Sequence, residues 1–187
     1  MDYQQLADQL FPDVTDTMTD LEKRYPSRDL AEGAFVTRLG PSPTGFMHIG
    51  NLYTGLINER LAHQSGGRFF LRIEDTDHKR YVDGAEEVIT DALAYFGINY
   101  DEGVFQDGER GAYGPYHQSE RAAIYHVVAK HLVAKGYAYP SFATEEELAA
   151  LRTAQEAEKA DTGYYGKWAK DRFLSLEDIR RHLDAGD

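Results

Sequence analysis

Ala34-Phe35-Val36-Thr37-Arg38-Leu39-Gly40-Pro41-Ser42-Pro43-Thr44-Gly45-Phe46-Met47-His48-Ile49-Gly50-Asn51 joins a short apolar run to a rigid turn and the start of a helix. The run stops at Gly40-Pro41, so it reads as a buried strand. After the turn, Ile49, Leu52, Leu56, Ile57 and Leu61 recur every three to four residues, which predicts a helix ended by Gly66-Gly67. Arg68 to Ile73 is the next strand, and Gly84 opens a helix whose Ala85, Val88, Ile89, Ala92, Leu93 and Phe96 make one apolar stripe. Strand, helix, strand, helix is a βαβ unit. Such units build parallel sheets with right-handed crossovers, and ligands collect at the carboxyl ends of the strands. The expected fold class is therefore α/β.

Outward from this unit the texture changes. Residues up to about Gly33 are an acidic lead-in broken at Phe11-Pro12 and Tyr25-Pro26, with room for one or two short helices. Beyond Gly97 a Gly- and Tyr-rich loop is expected to about Gln118, then a helix capped by Ser119, with Ile124, Val127, Val128 and Leu132 inward and Gly136 as its stop. Thr144-Glu145-Glu146-Glu147 has the form of a capping box and starts a helix through Leu148 and Leu151. The charged stretch from Gln155 to Asp161 and the turn Gly163-Tyr164-Tyr165-Gly166 suggest an insertion. A last helix is capped by Ser175 and carries Leu176, Ile179 and Leu183.

With 187 residues, 42% hydrophobic and 28% charged, the chain has globular composition and length enough to bury a core. No run of about 18 apolar residues occurs, so no membrane span is expected. The start Met1-Asp2-Tyr3-Gln4-Gln5 lacks the basic flank of a secretion signal and cysteine is absent, which points to a cytoplasmic protein without disulfides. A net charge of -12 argues against indiscriminate binding of polyanions. Arg60, Arg68, Arg72, Lys79 and Arg80 form a local basic cluster, which reads as a solvated helix face and turn.

The turn carries the chemistry. Two prolines, two hydroxyls and two glycines lie between a strand end and a helix start, where free backbone N–H groups attract anions. His48 could donate to a phosphate oxygen, Gly50 would admit an adenine or ribose close to the backbone, and Asn51 offers a second polar head. No Gly-Lys-Ser or Gly-Lys-Thr follows, so this is not a Walker loop, and the Gly-x-Gly-x-x-Gly turn is absent too.

His48-Ile49-Gly50-Asn51 resembles the "HIGH" signature of class I aminoacyl-tRNA synthetases. Pro41-Ser42-Pro43-Thr44-Gly45 before it resembles the glutamyl branch of that family. So do Leu71-Arg72-Ile73-Glu74-Asp75-Thr76-Asp77 and Gly114-Pro115-Tyr116-His117-Gln118-Ser119-Glu120-Arg121. The resemblance, to bacterial-type glutamyl-tRNA synthetases, runs from about Arg38 to Lys170. It implies an N-terminal helical extension over 1–33, the first half of a Rossmann-like catalytic domain over 34–138, and the start of an inserted acceptor-stem-binding subdomain over 139–187. The implied function is a glutamate-tRNA ligase: L-glutamate and ATP give glutamyl-adenylate, and the glutamyl group passes to the 3' end of tRNA(Glu). A monomer is expected.

Carried over residue by residue, the resemblance assigns Thr44, Gly45, His48, Gly50 and Asn51 to ATP. His48 and Asn51 would steady the charge growing on the α-phosphoryl group. The family's second histidine is Asn51 here. Arg38, otherwise a surface arginine, would hold the glutamate side-chain carboxylate with its planar fork. Ser42 is either a neutral partner for the substrate or a turn serine bonding its own backbone. Glu74, otherwise a turn acid, would take the substrate ammonium. Asp75 and Asp77 could suit Mg²⁺, but acids before a helix also serve capping, and Mg²⁺ in this chemistry arrives with ATP. His63, His126 and His131 read as ordinary surface or boundary residues, and Tyr113, Tyr116, Tyr137 and Tyr139 as aromatic packing under a long loop rather than stacking platforms.

The chain departs from the family in two places. Some members hold a structural zinc on cysteines in the insertion, where Ser141, Ala143, Tyr164, Trp168 and Asp171 stand here, so no zinc is expected. The lysine-rich "KMSKS" loop does not occur, nor does an anticodon domain, so a catalytic fragment, inactive by itself, is expected. Alternatives are a shorter paralogue that places glutamate on a modified tRNA base and a non-catalytic nucleotide- or tRNA-binding module. Glutaminyl-tRNA synthetases read closer to Pro-Glu-Pro-Asn-Gly and Asp-Asp-Thr-Asn, and a small-metabolite nucleotidyltransferase would not need the Gly114 to Arg121 motif.

Overall fold

The structure is a computed structural model and describes residues 2–186; Met1 and Asp187, the outer limits of the expected terminal segments, lie outside them. The chain divides into two compact units, one of residues 16–125 and one that joins the residues up to Thr15 to those from His126 on.

The unit of residues 16–125 holds a four-stranded sheet in the order β1-β2-β3-β4. β1 (Val36–Leu39), β2 (Arg68–Leu71) and β3 (Glu102–Phe105) run parallel, and β4 (Gly108–Arg110) returns antiparallel to β3. α3 (Ile49–Gln64) connects β1 to β2 and α4 (Ala85–Tyr95) connects β2 to β3. This is the α/β alternation expected from the apolar spacing. Leu39, Phe69, Leu71 and Val104 from the strands meet Leu52 and Ala62 of α3, Ile89 and Leu93 of α4, and Ile73, Ile98 and Tyr116 in one core. In the lead-in, α2 (Met18–Arg24) starts at Thr17 with a reciprocal capping box to Asp20.

Four details correct the expectations. The Gly- and Tyr-rich loop contains β3 and β4: Phe105 pairs with Gly108 across a two-residue turn, too short a hairpin to leave an alternating pattern. Gly103 allows β3 to close on β2, since at φ +129° a Cβ there would lie 2.2 Å from the Leu71 carbonyl oxygen. The second strand ends at Leu71, and Ile73 forms an isolated bridge to His117 instead. α3 buries Leu52, Gly55, Glu59 and Ala62, whereas Ile49 (78% exposed), Leu56, Ile57 and Leu61 point outward. The apolar spacing therefore marks the helix without marking its buried side.

The fourth concerns Ser119. It lies in a 3-10 turn (Gln118–Arg121) ahead of α5 (Ala122–Ala134), and its hydroxyl donates to Asp75 rather than capping its own helix. In α5, Val127 and Val133 are buried while Leu132 is exposed.

The other unit packs α1 (Tyr3–Leu10) with the later part of α5 and α7 (Leu176–Ala185) around Leu6, Ala7, Val133 and Ile179. α1 is capped by Asp2, and Lys130 ties its end by donating to the carbonyls of Phe11 and Val14 at 3.2 and 3.0 Å. α6 (Glu145–Ala157) and α7 begin with the capping boxes expected at Thr144 and Ser175. Gln155, fully buried, bonds both backbone groups of Gly163 and so fixes the turn after α6. No helix among the described residues is long and apolar enough to cross a membrane.

Candidate functional site

The site lies at the carboxyl ends of β1 and β2. Past Leu39 the chain turns through Gly40 to Gly45 before His48 starts α3, and main-chain bonds lace this turn to the segment after β2. Arg72 N–H donates to Leu39 O at 3.0 Å, Glu74 N–H to Pro41 O at 2.9 Å and Val82 N–H to Pro43 O at 3.0 Å. Pro41 and Pro43 are buried, whereas Ser42 and Thr44 are exposed. The prolines thus lock the turn to the protein and the hydroxyls face solvent.

His48 is the N-cap of α3, with extended backbone (φ -95°, ψ 164°) and no capping bond from its side chain. Its imidazole is exposed, and its carbonyl accepts from Asn51 N–H at 2.9 Å and Leu52 N–H at 3.3 Å. The first turn of this 16-residue helix carries no acidic residue. The partial positive charge of the helix end is therefore not neutralised from within, which favours an anion there. Gly45, Gly50 and Asn51 flank the same end, and a Cβ on Gly50 would come no nearer than 3.8 Å, to His48 Nδ1.

Across the turn, Arg38 from the end of β1 makes an ion pair with Glu74 from the segment after β2, and Arg72 Nη2 also reaches Glu74 Oε1 at 3.2 Å. Gly40 lies beneath this contact: a Cβ there would stand 2.6 Å from Glu74 Oε1 and 2.9 Å from Arg38 Nη1. Arg38, Ser42 and Glu74, expected to hold one amino acid, are thus brought to one strand-end region with the turn that leads to His48. Arg72 was read from the sequence only as part of a solvated basic cluster, although its place two residues before Glu74, just past β2, was the signal available.

Asp75 and Asp77 both have protein partners. Ser119 gives its N–H and hydroxyl to Asp75 at 2.9 and 2.6 Å, and Arg80 Nε donates to Asp77 at 2.6 Å. Burial works against the charge of Asp75, but the bonds from Ser119 outweigh it and hold the carboxyl below its ordinary value. His63, read from the sequence as an ordinary surface or boundary residue, bridges Glu59 and Asp101 at 3.2 and 3.0 Å.

The stretch from Gly114 to Arg121 acts as a strap. Tyr116 is buried and its hydroxyl donates to Glu102 at 2.7 Å; the backbone N–H groups of Tyr116 and His117 donate to Glu109. His117 sits between Glu109 at 2.7 Å and Glu86 at 3.1 Å. Burial disfavours its charge, yet the two carboxylates prevail and raise its pKa above the ordinary histidine value. Glu109, His117 and Glu120 place ligand atoms close enough together to hold a cation, although Glu109 already accepts from three N–H groups.

In the unit built from α1, α6 and α7, the residues that the resemblance set at the zinc-site positions come together. Ser141 Oγ and Phe142 N–H each donate to Asp171 at 2.8 Å, and Ala143, Tyr164, Trp168 and Asp171 line one cavity of about 340 Å³. A hydroxyl, a phenol and one carboxylate already accepting hydrogen bonds do not fit a structural zinc, which takes four thiolate or imidazole donors.

Comparisons with known proteins show the family. The family model of the class I tRNA synthetases (E and Q), catalytic domain, matches residues 34–183. The glutamate–tRNA ligase of Acetivibrio thermocellus is 57% identical over 98% of the chain, which covers 34% of that protein. That of Clostridium perfringens strain 13 is 52% identical over the whole chain, again covering 34% of the relative. Among solved structures, a glutamate-tRNA synthetase from Elizabethkingia anophelis matches with a TM-score of 0.69 at 37% identity, over 82% of this chain and 31% of that one. The chain spans about a third of the length of the curated relatives it matches.

Proposed function

The chain belongs to the class I tRNA synthetases (E and Q), as part of their catalytic domain, and from that premise we propose that it supplies the ATP and L-glutamate site of a glutamate–tRNA ligase. The observation that carries this reading is the meeting of opposite charges, Arg38 and Glu74, at adjacent strand ends beside a helix N-terminus free of acids. An α-amino acid with an acidic side chain needs one cation and one anion; a triphosphate needs amide donors and a positive helix end.

In this reading Arg38 takes the side-chain carboxylate of glutamate, Glu74 its ammonium, and Ser42 gives a neutral hydrogen bond. The α-carboxylate, left free, attacks the α-phosphorus of ATP; the bond to the β-phosphate oxygen breaks, giving glutamyl-adenylate and pyrophosphate. Thr44, Gly45, Gly50 and Asn51 line the nucleotide, and His48 and Asn51 donate to the phosphoryl oxygens as charge grows on them. Mg²⁺ accompanies ATP and neutralises phosphate charge. Transfer of the glutamyl group to the terminal ribose of tRNA(Glu) completes the reaction, with residues 34–138 as nucleotide-binding half-domain, 1–33 as its extension and 139–187 beginning the acceptor-stem insertion. The protein acts as a monomer in the cytoplasm.

The test is exchange of labelled pyrophosphate into ATP by a full-length protein that carries this chain, in the presence of L-glutamate and tRNA(Glu). Exchange that L-glutamate supports and L-glutamine does not is the expected result. Equal exchange with both, or none with either, overturns the reading.

A further inference from the structure

Glu74 is one carboxylate shared by two guanidinium groups. Arg38 contacts its Oε1 from the end of β1, and Arg72 Nη2 reaches the same oxygen at 3.2 Å from two residues upstream. The three side chains are unequally open: that of Arg38 is 38% exposed, that of Glu74 29% and that of Arg72 21%. Arg72 Nε is fully buried without a hydrogen-bond partner. The backbone under all three is pinned by the bonds from Arg72 N–H to Leu39 O and from Glu74 N–H to Pro41 O. Rearrangement here is thus a matter of side chains.

We propose that Arg72 is a positioning residue: it holds Glu74 in place so that Arg38 can leave Glu74 for the side-chain carboxylate of the amino acid. The proposal rests on the reading of this site as one for L-glutamate. Before the ligand arrives, Arg38 and Glu74 satisfy each other, and a carboxylate ligand must compete with Glu74 for Arg38. A one-to-one pair would make that competition costly, because the half-buried Glu74 would be without a cation from the moment Arg38 leaves until the ligand's ammonium reaches it. With Arg72 present there are two cations for one anion. Arg38, the more exposed of the two, keeps an attraction for an incoming carboxylate, and Glu74 keeps a partner throughout the exchange. Arg72 touches neither end of the ligand in this arrangement; it acts through Glu74.

The experiment measures binding of L-glutamate and, separately, of ATP by calorimetry to a full-length protein that carries this chain, for the parent, Arg72→Lys and Arg72→Gln. Lysine keeps the charge; glutamine keeps a donor and a similar stem without it. Arg72→Gln is expected to bind L-glutamate about tenfold more weakly and Arg72→Lys within about threefold of the parent, with ATP binding unchanged in both. Parent-like glutamate binding by Arg72→Gln overturns the assignment while leaving the site reading intact. Equal losses of glutamate and ATP binding in both variants, or failure of both to fold, give Arg72 a purely structural role and also overturn it. A full-length parent protein that binds no L-glutamate overturns the site reading and the assignment together.

Discussion

Ser119 gives both its hydroxyl and its N–H to Asp75, at 2.6 and 2.9 Å, tying the 3-10 turn before α5 to the residue that follows Glu74. Two bonds to one carboxylate are worth about 1–3 kcal/mol, so Asp75→Ala should destabilise the chain by that order in urea unfolding. The folded pKa of Asp75 is lowered, and a lowered carboxyl contributes stability above its unfolded value that is lost as pH falls through the folded one. Its share of acid destabilisation therefore falls below about pH 4, and Asp75→Asn should flatten the stability profile there.

Arg28 and Glu102 pair with 17% and 12% of their side chains exposed, and Tyr116 donates to the same carboxylate. Truncating one partner leaves the other charge half-buried without compensation, so Glu102→Ala should cost about 3 kcal/mol by chemical denaturation. Arg28→Ala should cost a similar amount. Because each variant removes the same contact, the double variant should lose clearly less than the sum of the two.

His117, between Glu86 and Glu109, titrates above the ordinary histidine value of 6.5. A raised histidine stabilises fully below its unfolded pKa, and that contribution disappears as pH rises through the folded value. Stability should therefore decline from about pH 6.5 upward, and His117→Gln should remove that slope. An NMR titration that places the His117 ring at or below the ordinary value would contradict this.

How far the residues alone foretold these arrangements depended on whether the information was local. Strand, Pro-rich turn and helix from Val36 to Gln64 follow from neighbours in sequence, as do the capping box at Thr144 and the cap at Ser175. Arg38, Ser42 and His48 belong to one continuous stretch, so their common placement was legible. The outward stripe of α3 was not, because helical spacing shows that a stripe exists but not which neighbour covers it. β3 and β4 escaped because four- and three-residue strands with Gly103 and Gly108 carry little alternation. Ser119 lies 44 residues from Asp75, Asp101 38 from His63 and Glu86 31 from His117, and only the fold brings these pairs together.

His48 is where stability and function should separate. Its ring is exposed and makes no capping bond, so His48→Ala should unfold within about 0.5 kcal/mol of the parent. Under the proposed function the same change removes a donor to the phosphoryl oxygens as charge grows on them. One such donor is worth about 3 kcal/mol at the transition state, so glutamate-dependent pyrophosphate exchange by the full-length protein should fall about a hundredfold. Asn51 sits one helical step on and keeps a neutral donor, so Asn51→His should preserve exchange and Asn51→Ala should lower it. Full exchange by His48→Ala with an unchanged melting curve would move the phosphate-binding role to the backbone N–H groups of α3 alone.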